Sequence, residues 1–390
     1  MMKLNEILEA NLIELNEKNL KELSDYISCG KKVTWILGAG VSKPAGIPLW
    51  TECLQRMWNR MLMLGKTNKA NNNTDTDYFD KAMKNLQMQV KGSDAFLDML
   101  NKEIKGESNS YDKVFVKEDV LEVAEYMRNF IYQTLDTSIE KRAELVFKEI
   151  VKDSLKPEET VKLSKDEWRE KLNSMIAGKL ADYLISDNKP DNKRQTVIVY
   201  NFDDLLEVAL EQKMSDTSSC YVKTSAQTGQ SNSENGIYIY HPHGLLKVLG
   251  ADMGEESQKL VFTESSYKKL ESKAYIWENS VQAQALSETS CIFLGFSGTD
   301  YNFRRILKNT EMGKEYRGQR HYFFISLESM IRSMMNDTKN NDEILYRKLL
   351  MTKKLYAQYI YWKNYGIIPI WTTRSELPEM LMKICNMNEK

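Results

Sequence analysis

Two of the three histidines in this 390-residue chain stand one residue apart, in His241-Pro242-His243-Gly244. A histidine just before a glycine, at the end of an apolar run, is well placed to act as a base near neutral pH, where its ordinary pKa lies. The alternating spacing would also let both rings hold one metal ion, but no cysteine or carboxylate stands beside them in sequence to complete a ligand set. The plainer reading is a hydrogen-bonded turn histidine, which suits His241 better than His243. No metal site is expected.

Three further segments carry polar chemistry behind apolar runs. In Gly38-Ala39-Gly40-Val41-Ser42 the glycines let a backbone approach a diphosphate, with free amides and the Ser42 hydroxyl as donors. A tight turn with no ligand accounts for the same glycines. A hydride-transferring dinucleotide enzyme would need a third glycine where Lys43 stands, and Pro44 is awkward inside a helix that starts at once. In Asn201-Phe202-Asp203-Asp204 the asparagine can orient a water or a ribose hydroxyl, and an aspartate can accept from a carboxamide. Either aspartate can equally cap the helix that follows. The fourth segment runs from Gly295 through Ser297 and Asp300 to Arg304. Such a loop can hold the second half of a nucleotide through its side chains and amides, with Arg304 near a phosphate, or Arg304 can lie on a solvated helix face.

The elements that must position these segments are legible from periodicity. Residues 31–37, 196–200, 237–240, 291–296, 321–325 and 367–371 are short apolar runs of strand length. Residues 203–213, 301–308 and 341–362 have helical patterns between them, and 4–28 reads as one or two amphipathic helices. Strands alternating with helices predict an α/β fold with a parallel sheet covered on both faces. All four polar segments then fall at strand ends, where such sheets form one crevice. Residues 51–194 contain almost no strand signal, with helical segments at 53–64, 78–90, 118–135, 139–151 and 166–185. The expected organisation is therefore an α/β domain of residues 1–50 and 195–390 with a large helical insertion, 51–194, after the first strand. No further domain remains to be assigned.

Composition narrows the partners. With 54 Lys+Arg against 55 Asp+Glu, the formal net charge of −1 gives no global field for nucleic acid or anionic membrane. No window approaches the roughly 18 apolar residues of a membrane span. The start turns polar too soon for a secretion signal. Five scattered cysteines with no CxxC pair fit a reducing cytoplasm.

In this order, GAGVSKPAGIP, YNFD, HPHG and LGFSGTDYN resemble the sirtuin family, most of all the sirtuin-like domains of bacterial antiphage defence proteins. The likeness spans about residues 30–50 and 195–375, in motifs far more specific together than singly. It implies a Rossmann-like sheet and NAD as substrate. By position, it implies that Gly38, Ala39, Gly40 and Ser42 cradle phosphate and that Asn201 orients ribose or water. It further implies that Asp203 faces the nicotinamide carboxamide, that His243 is the catalytic histidine beside the ribose hydroxyls, and that Gly295 and Ser297 line the adenosine side. Sirtuin deacylases carry a zinc module built on two CxxC pairs. This chain has none, so no zinc is expected and an acyl-lysine groove is doubtful. Water then becomes the acceptor and the reaction NAD hydrolysis, by an effector that depletes NAD in antiviral defence. The alternatives are a protein deacylase or ADP-ribosyltransferase using the same cleft, or a non-catalytic module that binds NAD or ADP-ribose. The last is disfavoured by the joint presence of Asn201, Asp203 and His243. A toxic NADase must be held inactive until needed, and no second domain is left to sense a trigger. The expected control is self-assembly as a homo-oligomer or a co-encoded regulatory partner, for which the resemblance suggests a HerA-type ATPase.

Overall fold

A computed structural model describes residues 8–63, 118–134, 140–157, 164–186, 194–214, 220–223, 236–250, 259–273, 276–311, 320–328, 330–331 and 341–387. In chain order the elements are α1 (Ala10–Ser28), β1 (Val33–Leu37), α2 (Trp50–Met63), α3 (Val120–Thr134), α4 (Glu140–Leu155), α5 (Lys165–Ser174), α6 (Ile176–Ile185), β2 (Arg194–Val199), α7 (Leu205–Lys213), β3 (Cys220–Lys223), β4 (Gly236–Tyr240), α8 (Glu264–Ser272), α9 (Trp277–Glu288), β5 (Ser290–Leu294), α10 (Tyr301–Glu311), β6 (His321–Ser326), α11 (Asn341–Asn364), β7 (Ile367–Thr372) and α12 (Leu377–Ile384). The seven strands form one parallel sheet of order β3-β4-β2-β1-β5-β6-β7, the α/β architecture expected.

Parallel strands covered on both faces read as unbroken apolar runs, and β1 and β5 are buried at every residue. Side chains still alternate between the faces. Trp35, Leu37, Val197, Ile239, Ile292 and Leu294 enter one core, while Ile36, Ile198, Tyr238 and Phe293 enter the other with Phe303 of α10 and Trp362 of α11. The helices between β1 and β2 do not stand apart from the sheet. Met57 of α2, Phe147 of α4 and Leu172 of α5 belong to the first core, and the Tyr183 ring of α6 meets Trp35 edge-on at 5.5 Å.

Several elements differ from expectation. The helical segment 166–185 is two helices, α5 and α6, broken at Met175, whose backbone is extended (φ −84°, ψ 165°). Strand β3 was not anticipated: four residues between polar stretches give little apolar signal, and β3 pairs with β4 at the sheet edge. Helices α8, α9 and α12 also went unread. The helix expected at 78–90 lies outside the described residues. No helix among the described residues is long and apolar enough to cross a membrane.

The strand order places the C-terminal ends of β4, β2, β1 and β5 side by side. From β1 the chain passes to β2 on one side, and later enters β5 on the other. A reversal of this kind opens a crevice beyond the strand ends.

Candidate active site

Strand register brings the polar segments to one level. Ile198 pairs with Tyr240, so Asn201 and His243 each lie three residues beyond paired neighbours on adjacent strands. Leu37 pairs with both Val199 and Leu294, which sets the turn after β1 between the other two segments. There the Asn201 amide Nδ2 donates to Ser42 Oγ at 2.8 Å, and Ser42 Oγ donates to Asp203 Oδ1 at 2.9 Å. All three side chains are buried. Burial pushes the Asp203 carboxyl up to about 6, with hydrogen bonds from Ser42 and the Leu205 amide pulling against it and the charges of Asp204 and Glu207 adding to it.

The helix-capping reading is met in part for Asp203 and not for Asp204. Asp203 Oδ1 also accepts from the Leu205 amide at 3.2 Å, a local bond at the start of α7. Asp204 stands just before α7 but caps nothing there. Its carboxylate accepts instead from the amides of Val248, Leu249 and Gly250 at 2.8–2.9 Å, fixing the segment beyond the histidines.

The glycines after β1 serve the sheet first. A Cβ on Gly40 would come within 2.8 Å of the Gly295 backbone, and one on Gly295 (φ +57°) within 2.4 Å of the Val41 nitrogen. The amides of Gly38 and Gly40 donate to the carbonyls of Leu294 and Gly295, and those of Val41, Ser42 and Lys43 close turns onto Gly38 and Ala39. In this conformation these amides are not the free phosphate donors the sequence suggested. The Ser42 hydrogen is likewise committed to Asp203.

The two histidines part company. His241 is fully buried, with Nε2 2.6 Å from Glu207 Oε1 and Nδ1 3.3 Å from the Asn201 carbonyl. Burial alone would lower its pKa, but the Glu207 charge and hydrogen bond hold it above the ordinary value. His243 is also buried, between the rings of Tyr200 and Tyr267, which meet it edge-on at 5.0 and 5.2 Å. Its Nδ1 is 3.4 Å from the Tyr267 hydroxyl, and its Nε2, 3.7 Å from Asp300 Oδ2, has no hydrogen-bond partner among the described residues. Burial lowers its pKa despite Asp300, so the ring is neutral at pH 7 and can accept a proton. Among the described residues no three His, Cys, Asp or Glu side chains are grouped as metal ligands.

The last segment divides as well. Ser297 is exposed and shares a hydrogen bond with the Thr299 hydroxyl at 2.7 Å. Arg304 is exposed, with Nε donating to the Gly298 carbonyl at 2.6 Å. Asp300 turns inward to cap α10, its Oδ1 accepting from the Phe303 amide at 2.7 Å. Sequence reasoning missed Glu207, Tyr200 and Tyr267. Glu207 sits six residues after Asn201 on a helix read only as apolar periodicity, and Tyr267 lies on the unread α8.

Residues 195–370 match the family model described as the SIR2-like domain. The match takes in Asn201, Asp203, His243, Gly295, Ser297, Asp300 and Arg304, and leaves out the turn of residues 38–42. No curated protein matches the chain. Residues 195–370 are therefore similar to SIR2-like domains, a kind of domain that uses NAD.

Proposed function

We propose that the protein is an NAD glycohydrolase, which breaks the bond between nicotinamide and ribose and passes the ribosyl carbon to water. The observation that carries this reading is the orphaned, buried Nε2 of His243, a neutral base at the level of the Asn201–Ser42–Asp203 chain. The polar groups fit the substrate: a carboxylate to accept from the carboxamide, an amide for ribose or water, and an imidazole to accept a hydroxyl proton. Nicotinamide leaves with the bonding electron pair, the water oxygen bonds to C1′, and the water's proton is lost by way of His243. Asn201 orients the ribose or the attacking water, so it acts chiefly in the transition state.

Water as acceptor is supported by the sequence, which has no CxxC pair and so lacks the zinc module of sirtuin deacylases. In a cell the reaction would deplete NAD. We extend the reading to a defence effector that works as a homo-oligomer with a co-encoded partner, such as a HerA-type ATPase. The direct test incubates purified protein with NAD in ¹⁸O-labelled water, with and without an acetylated-lysine peptide. Labelled ADP-ribose formed at the same rate in both is the expected result. Product only when the peptide is present, carrying its acetyl group, would replace hydrolysis by deacylation.

A further inference from the structure

His243 faces a pair of groups that decide which of its nitrogens carries the proton. Tyr267 on α8 has one hydroxyl hydrogen, and the structure directs it to Asp300 Oδ2 at 3.0 Å. Toward His243 Nδ1 the Tyr267 oxygen can then offer only a lone pair, so that contact is satisfied only when Nδ1 carries the hydrogen. The basic lone pair is thereby left on Nε2. That nitrogen faces Asp300 Oδ2, too far at 3.7 Å for a hydrogen bond while the ring is neutral, but close enough to attract the N–H that forms when it takes a proton. Asp300 is itself held by two donors from different elements, the Tyr267 hydroxyl and the Phe303 amide. The third neighbour, Tyr200, presents only its ring edge, its hydroxyl being bonded to Gln282.

We propose that Tyr267 and Asp300 are positioning residues for His243: Tyr267 fixes the Nδ1–H tautomer, and Asp300 stabilises the imidazolium that forms when Nε2 accepts a proton. Asp300 thus serves the base, not the nucleotide phosphate or ribose. The assignment rests on His243 being the base of the proposed reaction. A serine–histidine–aspartate site uses the same logic, with the carboxylate on the opposite ring nitrogen. The insertion reaches this cluster as well, because Glu125 of α3 accepts from the Ser265 amide at 2.9 Å, at the start of the helix that carries Tyr267.

The test pairs kinetics with a readout that needs no substrate. In ¹⁵N imidazole spectra, His243 of the wild type should be the Nδ1–H tautomer, and Tyr267→Phe should yield a mixture. Asp300→Asn keeps an acceptor for the Phe303 amide. It should move the His243 titration to lower pH, because the carboxylate charge that raises its pKa is gone. A merely loosened fold would admit water and move it upward. In NAD hydrolysis Asp300→Asn should lose roughly 10²-fold in kcat with KM kept within about threefold, and Asp300→Glu should recover part of that loss. A wild-type Nε2–H tautomer, or an Asp300→Asn protein with unchanged titration and kcat, overturns the proposal. If the wild type releases no nicotinamide yet shows the expected tautomer and shift, the positioning stands and the hydrolase reading fails.

Discussion

The Ser42 hydroxyl donates to Asp203 across 161 residues of chain, and it does so while accepting from Asn201. A hydroxyl has one hydrogen, so Ser42 cannot also donate to a phosphate in this arrangement. Under the proposed function, its role is to align Asn201 and Asp203, the two groups assigned to the reacting end of NAD. Ser42→Ala should therefore lower kcat by roughly 10-fold or more and change KM for NAD little. Steady-state kinetics with KM raised and kcat kept would return Ser42 to the diphosphate.

Asp203 is held against its own ionisation. With a folded pKa of about 6 against the ordinary 3.8, the folded state binds more protons than the unfolded state between those values. The contribution to stability is full below about 4 and is lost as pH rises through 6. Asp203→Asn keeps the acceptor for Ser42 and removes the buried charge. It should be more stable than the wild type at pH 7.5 by about 1–3 kcal/mol, show less of an advantage at pH 4, and lose activity. Thermal melts at the two pH values check this, and an equal or lower melting temperature at pH 7.5 would refute the account of Asp203.

The His241–Glu207 pair has the same direction of pH dependence over a higher range, but here it is the charged form that the fold favours. The folded pKa of His241 lies above the ordinary 6.5, so its contribution is full below about 6.5 and is lost as pH rises through the folded value. Glu207→Gln should cost more stability at pH 6 than at pH 9. Glu207→Ala, which leaves a buried imidazolium without its partner, should cost roughly 3–5 kcal/mol near pH 6. Chemical denaturation at both pH values reads this directly, and a pH-independent penalty would mean that His241 is neutral in its pocket.

The chain's reading from sequence succeeded where one local signal sufficed. Apolar runs such as residues 291–296 revealed the strands, and the glycine or polar clusters behind them lie together at neighbouring strand ends. It failed where a side chain's role depends on a distant partner. Nothing near Ser42 announces Asp203, and nothing near His243 announces Tyr267 or Asp300. The loop of residues 295–304 looked like one nucleotide-binding unit, yet Ser297 and Arg304 are exposed while Asp300 turns toward His243. The Gly38 turn looked like a phosphate cradle because close backbone approach needs glycine whatever approaches, and here Gly295 does.

That last point is separately testable. Gly295→Ala places a methyl group against Val41 and Gly40 in a left-handed backbone, and should cost about 1–3 kcal/mol of stability. If the variant retains the wild-type melting temperature, the close backbone approach does not govern that position.

The central claim is that His243 is the base of an NAD-cleaving site. The most direct measurement is the rate of nicotinamide release from NAD, without any acylated peptide, by the wild type and by His243→Ala, with circular dichroism to establish that both are folded. The account predicts turnover by the wild type and a loss of at least about 10²-fold in a folded His243→Ala protein. Near-wild-type nicotinamide release by that folded variant would contradict it.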